Sequence, residues 1–556
     1  MISNFFDRRS AKKDITSGLT LAVESVPDGM AVGTLAALNP VTGVYAYMIG
    51  GFSGAFFTSS VSMSIQATSA MALIVAGVPE VSPSADTGQD ALFILTLLIG
   101  GFMAVLGLLK LGSVLRFVPD SVMAGFTHAV GLSIVLGQLG NLTGYAADGG
   151  DKIAQTIDLA ANLDQVELTA LATGVVAMVV MIAMNRTRFA TMGILLAMFV
   201  ASLVPAIFDW SDVALVRDIG DIPRQLPLPI FPDWSSFGDL VPALIGPAIA
   251  LAIVGLVQGA AVNHAFPNPD GSKSDPSGDF TGQGLANVTT GFFQGMPVGG
   301  SFSATAILAE GGAKTRFANT VAGAGIAVVL LVFSGAMELL AMPALAGFLL
   351  VLGVGVLKPA QVLATWRLGG LDRWGMVLLI AVALLSSLQN AVFVGVALSI
   401  LIYVARESKG VTVRSAVYED GHLVSEHDVE PTLGSESIVT LNTYGSLFFA
   451  SAQLFEDQLP HPDDETLPTV VILDLRGHQT LDETTLNMLT DYADTLQKHQ
   501  CRLILAEVEA DARETLEHTG TLDKLGEDNV FAADDHVRQS VVDAQAAAEQ
   551  WLATQR

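Results

Sequence analysis

At 556 residues, 51% of them hydrophobic and with a formal net charge of −27, the chain is too long for one ordinary soluble domain. Its acidity argues against nucleic acid as a partner, because a phosphate backbone repels such a surface. The single cysteine, Cys501, excludes a disulfide framework or a cysteine-rich metal site. Apolar runs of membrane-spanning length follow one another from about Asp14 to Ala405, and the last third has ordinary soluble composition. The expected organisation is therefore an N-terminus at 1–13, a membrane domain at 14–407, a polar linker at 408–435, a soluble domain at 436–545 and a tail at 546–556.

Arg8, Arg9, Lys12 and Lys13 precede the first apolar stretch, but no small-residue cleavage site ends it, so a cleaved signal peptide is not expected. Segments of adequate apolar length fall near 15–37, 41–57, 66–78, 91–109, 120–139, 167–184 and 189–208, then 241–263, 281–296, 304–313, 319–337, 340–357, 374–388 and 391–405. That makes fourteen, of which the third and tenth are short. Basic residues follow the even-numbered segments: Lys110 and Arg116, Arg186 and Arg188, Lys314 and Arg316, Lys358, Arg367 and Arg373, then Arg406 and Lys409. The odd-numbered loops are acidic or neutral, which places both termini on the cytoplasmic side of an inner membrane. Arg217 and Arg224, in a long outer loop, are exceptions.

The count divides as seven plus seven. A short segment is third in each half, and the fifth and twelfth segments share a proline followed by Ala-Gly-Phe: Pro119 with Ala124-Gly125-Phe126, and Pro343 with Ala346-Gly347-Phe348. An odd number of spans per repeat inverts one half relative to the other, the design of secondary transporters. The soluble third alternates β-like runs (438–441, 444–450, 470–475, 502–507) with helix-compatible stretches such as 482–496, which predicts an α/β sheet domain.

The two short segments begin in polar sequence, Ser64-Ile-Gln-Ala-Thr-Ser-Ala70 and Gly300-Ser-Phe-Ser-Ala-Thr-Ala306. Both read as half-helices whose N-terminal N–H groups and positive dipole ends meet an anion near the bilayer midplane. The expected substrate-binding set is Gln66, Ala67, Thr68, Ser69, Ser301, Phe302, Ser303, Ala304 and Thr305, with Gln258 beside it. The competing reading is that small hydroxyl residues merely permit close helix packing. Acids inside a membrane span are costly, so Glu24 and Asp28, four apart on one face of the first span with Pro27 between them, are candidate coupling residues. A carboxylate out of water takes up a proton more readily, which suits it to carry one across with the anion; the alternative is a structural acid bonded to nearby backbone. Glu310 and His128 are lesser candidates. The loop Asn268-Pro-Asp-Gly-Ser-Lys273 lacks the P-loop pattern, and no nucleophile–base set or metal cluster stands out, so neither a cofactor nor an enzymatic activity is expected.

The chain resembles the SulP family of anion transporters, the relatives of prestin and pendrin. The stretches that carry the resemblance are Val26-Pro-Asp-Gly-Met-Ala31, Asn39-Pro-Val-Thr-Gly-Val-Tyr-Ala46, Gln283-Gly-Leu-Ala-Asn287, Gly295-Met-Pro-Val-Gly-Gly-Ser-Phe-Ser303 and Gly311-Gly-Ala-Lys-Thr-Arg316. The region 441–496 looks like a STAS domain, with Glu483 and Thr484-Thr485 after Asp482 where related signalling domains carry a phosphorylatable serine; Asp482 itself reads as a helix cap. The resemblance implies a core domain of spans 1–4 and 8–11 that carries the anion past a gate domain of spans 5–7 and 12–14 by an elevator-like motion, in a homodimer. It also places Asp28 where many bacterial relatives have an acid in a Pro-acid motif, which suggests a coupling-ion or proton site. Two positions depart from the family pattern: Ala304 stands where many members have an arginine, and Gln258 where sodium-coupled bicarbonate relatives have an acid. The expectation is a secondary transporter of sulfate or bicarbonate, with a dicarboxylate close behind, coupled to protons. The alternatives are a sodium-coupled bicarbonate transporter, an anion channel or voltage-responsive protein, or a sensor whose STAS domain recruits a partner.

Overall fold

Each of the fourteen expected segments falls on a helix in the computed structural model, which describes residues 5–110, 119–187, 193–220, 222–231, 234–268, 271–272, 274–419, 422–434, 437–463, 466, 468–534, 536 and 538–555. Arg116, Arg188, Pro269, Asp270, Lys273 and Ser435 lie outside the described residues. Two compact units divide the chain, Met1–Ser399 and Ile400–Arg556.

The first unit opens with α1 (Ala11–Leu35), α2 (Pro40–Phe57), the strand β1 (Ser64–Gln66), the half-helix α3 (Ser69–Val75) and α4 (Gly88–Leu108). It continues with α5 (Asp120–Gly137), α6 (Leu139–Thr143), α7 (Lys152–Ala161), α8 (Leu168–Met184) and α9 (Gly193–Phe208). The second half follows with α10 (Trp234–Ala265), α11 (Pro276–Phe292), β2 (Gly299–Ser301), the half-helix α12 (Phe302–Glu310), α13 (Phe317–Met337), α14 (Met342–Val356), α15 (Pro359–Leu368), α16 (Gly370–Leu385) and the start of α17 (Leu388–Lys409), whose residues from Ile400 belong to the second unit. Among the described residues, six helical stretches are long and apolar enough to cross a membrane by length and composition, and α8 and α9 are shorter apolar helices.

Helices α1, α2, α4, α10, α11 and α13 pack on one another as one group; α5, α8, α14 and α16, with α9 on α8, form another. Glycines set the closest crossings. The Cα of Gly29 on α1 lies against the backbone of Gly43 and Val44 on α2, and a Cβ on Gly43 would fall on the carbonyl oxygen of Gly29. Helices α6, α7 and α15 were not expected; they are short and lie in segments read as loops, below the length that a span requires. His128 is buried and joins α5 to the chain before α15, its Nε2 accepting from the Lys358 amide at 3.1 Å.

The second unit is a six-stranded sheet in the order β4-β3-β5-β6-β7-β8. Its strands are β3 (Thr412–Glu419), β4 (His422–His427), β5 (Ile438–Tyr444), β6 (Val470–Asp474), β7 (Arg502–Val508) and β8 (Val530–Ala532). Strands β5 to β8 run parallel, and β3 and β4 are antiparallel additions. The helices are α18 (Ala452–Glu456), α19 (Glu483–Lys498), α20 (Ala510–His518), α21 (Thr521–Leu525) and α22 (Gln539–Gln555). Period-2 alternation splits each central strand between two cores: Val471 and Leu473 face Leu489, Tyr492 and Leu496, whereas Val470 and Ile472 face Val541, Ala544 and Ala548 of α22. Asp482 caps α19, its carboxylate accepting from the Thr485 amide at 2.9 Å.

Three expectations about this part are corrected. The stretch 408–435, read as a linker, contains β3 and β4, and β3 pairs with β5. An edge hairpin buries few side chains, so its sequence lacks a strand's apolar signature. The tail 546–556 begins inside α22, whose Ala548 is in the core. The run 444–450, read as strand, leaves the sheet at Gly445, whose φ of +88° turns the chain where its Cα meets the Gly410 carbonyl.

At the carboxyl end of the sheet, the Thr443 hydroxyl donates to the Asp474 carbonyl oxygen at 2.6 Å, so His478 Nε2, 2.8 Å away, must donate to it. Burial pushes the His478 imidazole below its ordinary value, and a hydrogen bond to Thr443 opposes this. A histidine held neutral contributes stability that is full above its unfolded value of about 6.5 and is lost as pH falls below it. Residues 400–556 expressed alone should therefore lose thermal stability from about pH 7 to 5, and His478→Gln, which keeps a donor, should flatten that slope. Buried Asp474 and Glu507, both pushed upward by burial, act in the opposite sense at acid pH. The difference between the two proteins isolates the histidine, and identical slopes would refute the assignment.

Candidate functional site

Strands β1 and β2 pair antiparallel, with Ser64 opposite Ser301, Ile65 opposite Gly300 and Gln66 opposite Gly299. A chain that leaves helical structure within a membrane must satisfy its backbone inside the protein, and this two-stranded ribbon does so. Helices α3 and α12 leave the ribbon from its opposite ends, so both N-terminal ends lie beside it. Thr68 and Ser301 are their caps, with Thr68 Oγ1 accepting from the Met71 amide and Ser301 Oγ from the Ala304 amide, each at 3.4 Å.

The expected binding set divides by exposure. Thr68, Ser69 and Gln258 are half-buried, and Phe302 and Ser303 are exposed; Gln66, Ala67, Ser301, Ala304 and Thr305 are buried. The buried members build the frame. Thr305 Oγ1 donates to the Ser301 carbonyl at 2.5 Å and accepts from the Ser64 amide at 3.1 Å, which ties the two strands through a side chain. Gln66 Nε2 donates to Ser25 Oγ of α1 at 3.0 Å. The Ala304 methyl packs with Leu21 and Leu308, leaving only its backbone to the helix start. Among the open residues, Thr68 Oγ1 donates to Gln258 Oε1 at 3.1 Å, so the Gln258 amide nitrogen keeps its two donors for another partner. Ser303 Oγ stands 3.3 Å from Ser301 Oγ, and the Phe302 ring packs on Phe266 at 4.9 Å.

Residues the site reading did not include hold the ribbon in place. Asn287 accepts from the Val298 amide at 2.9 Å and donates to its carbonyl at 2.7 Å, and Gln283 accepts from the Gly300 amide at 3.1 Å. Both are fully buried on α11. Their signal was available: two amides four apart in an apolar span lie on one helical face. Gly299 and Gly300 bring β2 against Gly255 and Gly259 of α10, backbone to backbone. The corner before β1 is clasped by buried Asp279, which accepts from the Ser59 amide at 2.6 Å, the Ser60 hydroxyl at 2.7 Å and Asn263 at 2.8 Å. Asn268 accepts from the Val61 amide at 2.8 Å, so the start of the loop that lacks the P-loop pattern braces the corner.

Asp28 accepts from the Tyr47 hydroxyl of α2 at 2.8 Å. Glu24 is half-buried, and its Oε2 has no hydrogen-bond partner among the described residues. Ser25, which lies between the two acids in sequence, is the residue that Gln66 bonds, so α1 is hydrogen-bonded to β1 within the turn that carries them. Glu310 is exposed at the end of α12. Among the described residues no group of three or more His, Cys, Asp or Glu side chains is placed to hold a metal ion.

Residues 11–383 match the Sulfate permease family and residues 431–544 the STAS domain. The chain is 24% identical over 535 residues to the putative sulfate transporter YvdB of Bacillus subtilis, covering 96% of this chain and 98% of that one, and 24% identical over 554 residues to the chloroplastic sulfate transporter 4.1 of Arabidopsis thaliana, covering 94% and 78%. The bicarbonate transporter BicA of Picosynechococcus sp. is 26% identical over 411 residues, 72% of each chain. Among solved structures, murine solute carrier 26 family member A9 in the inward-facing state has the same fold, with a TM-score of 0.81 at 21% identity, covering 98% of this chain and 92% of that one. The paired half-helix starts and the sheet domain thus lie in a chain that belongs to the sulfate permease family, a membrane anion transporter with a STAS domain.

Proposed function

We propose that the chain is a secondary active transporter of a small oxyanion, sulfate or bicarbonate first and a dicarboxylate next, coupled to protons. The observation that carries this reading is the β1–β2 ribbon, which sets two capped helix starts side by side with the half-open donors of Thr68, Ser69, Gln258 and Ser303. Backbone N–H groups and hydroxyls hold an anion without a fixed positive charge, as Ala304 requires. The names of the relatives, sulfate transporter 4.1 and bicarbonate transporter BicA, support these substrates.

Without a cation at the site, moving a bare anion through the bilayer costs more than moving it with a proton. Asp28 and Glu24, on the helix whose Ser25 accepts from Gln66 of the ribbon, are the proposed proton carriers. Gln258 in place of an acid disfavours a sodium site. The group containing α1–α4 and α10–α13 is the moving body and the group around α5, α8 and α14 the gate, in a homodimer of the inner membrane with both termini cytoplasmic.

The test is uptake into liposomes of sulfate, bicarbonate and fumarate under an imposed pH gradient, with and without sodium. Gradient-driven accumulation of an oxyanion without sodium is the expected result. Movement of none of them, or conductance with no proton stoichiometry, would refute the reading.

A further inference from the structure

Helix α15 lies between the apolar helices α14 and α16, in the loop that carries Lys358, Arg367 and Arg373. Its 10 residues reach about 15 Å, half the thickness of a hydrocarbon core, so it cannot cross the membrane and lies at its boundary. The fold holds it there. The Lys358 amide at its start donates to His128 of α5, its buried Thr365 marks the side packed on α5 and α16, and Gly369 and Gly370, with φ of +72° and +53°, turn the chain into α16.

The other side of α15 is apolar and open. Leu363, Trp366 and Arg367 share it at helical spacing, all exposed. Leu371, Trp374 and Leu378 stand at the same kind of spacing on α16 and are exposed too, so the patch continues along a helix of the membrane part. Trp366 is 44% exposed and Trp374 66%, and tryptophans left open at the end of an apolar helix are placed for the bilayer interface. Two guanidiniums border the patch. Arg373 donates from Nε to the Trp366 carbonyl at 3.1 Å and lies over the Trp366 ring, 4.8 Å from its centre, with its terminal nitrogens unbonded among the described residues. Arg367 forms no ion pair or hydrogen bond among the described residues, and Asp372, the acid of this turn, is half-buried.

We propose that this face of α15 and the start of α16 is an interfacial docking surface for anionic phospholipid, with the two indoles at the boundary of acyl chains and headgroups and Arg367 and Arg373 on the phosphates. Its continuity with the apolar surface of α16 makes the bilayer the occupant, and guanidiniums without a carboxylate partner favour a lipid of net negative charge over a zwitterionic one. Because α15 packs on α5 and α16, the lipid anchors that helix group to its leaflet.

The test reads tryptophan emission from the full-length protein in vesicles of phosphatidylcholine and phosphatidylglycerol, with bromine on the acyl chains of one lipid or the other as the quencher. Trp366 and Trp374 are two of the 5 tryptophans, so the difference between the unmodified protein and Trp366→Phe with Trp374→Phe isolates their share. That share should report phosphatidylglycerol enriched over its bulk fraction by roughly fivefold for each arginine. Arg367→Gln with Arg373→Gln should bring the enrichment to the bulk value. Arg367→Gln alone, at an exposed position, should lower it with the Arg373–Trp366 contact intact. Equal quenching by the two lipids, quenching of this pair by neither, as a protein partner or a second copy over the face would give, or an enrichment that survives loss of both arginines would each overturn the proposal. Because the readout is lipid contact, it is independent of whether any oxyanion is transported.

Discussion

Asp28→Asn is expected to abolish proton-driven accumulation while leaving the protein folded. A pH difference of one unit supplies about 1.4 kcal/mol per coupled proton, a factor of about ten in accumulation, and an amide cannot carry that proton. Asparagine keeps the size of the side chain and still accepts from the Tyr47 hydroxyl, which lies 2.8 Å from Asp28 Oδ2, so packing between α1 and α2 should survive. The measurement is labelled sulfate accumulation in liposomes with and without an imposed gradient, beside exchange at equal pH. Loss of the gradient effect with exchange retained would identify Asp28 as the coupling group. Unchanged accumulation would remove it and leave Glu24, whose Oε2 is unpaired among the described residues, as the remaining acid of the pair. Tyr47→Phe removes the donor and should move the pH midpoint of uptake without eliminating it.

Gly43→Ala should have the largest effect on stability. A methyl group there falls on the Gly29 carbonyl oxygen, and the neighbouring Gly33 nitrogen is 2.8 Å from the same point. Both obstacles are helix backbone, which has no rotamer to change, so α1 and α2 must separate. Overpacking a close crossing costs about 1–3 kcal/mol, and more where backbone cannot move. The variant should express poorly or show a lowered thermal midpoint in detergent. Asp28 is the neighbour of Gly29, and Tyr47 lies one turn beyond Gly43. Separation of the helices therefore also breaks the Tyr47–Asp28 hydrogen bond, and any protein that does fold should show the altered pH response of Tyr47→Phe. A variant with normal stability and normal pH response would show that the crossing is softer than its geometry implies.

Much of the membrane part was legible because hydropathy and loop charge act locally: a span needs a set length of apolar residues, and the basic residues at its ends are written in order. The half-helices were legible for the same reason, as apolar runs too short to cross. Their pairing as β1 and β2 was not, since Ser64 and Ser301 are far apart in the chain and three-residue strands have no pattern of their own. Nor could sequence separate frame from open site within one hydroxyl-rich stretch. Thr305 is buried and bonded to Ser64, while Ser303, two residues earlier, is exposed, because α12 turns its faces in opposite directions.

In the soluble unit, the central strands were evident from their continuous apolar runs, a consequence of burial on both faces. The hairpin of β3 and β4 was not, because an edge is stabilised by backbone pairing that polar side chains allow equally well.

By itself, then, the sequence determined the family, the half-helix starts and the acids of the first span, all properties carried by residue type and local spacing. Only the tertiary structure decided which of those residues meet: that Gln66 reaches Ser25, that Thr68 engages Gln258 and that Tyr47 holds Asp28. The physical reason is that a buried hydrogen bond or cavity is formed between elements brought together by packing, and no local signal in either element names its partner.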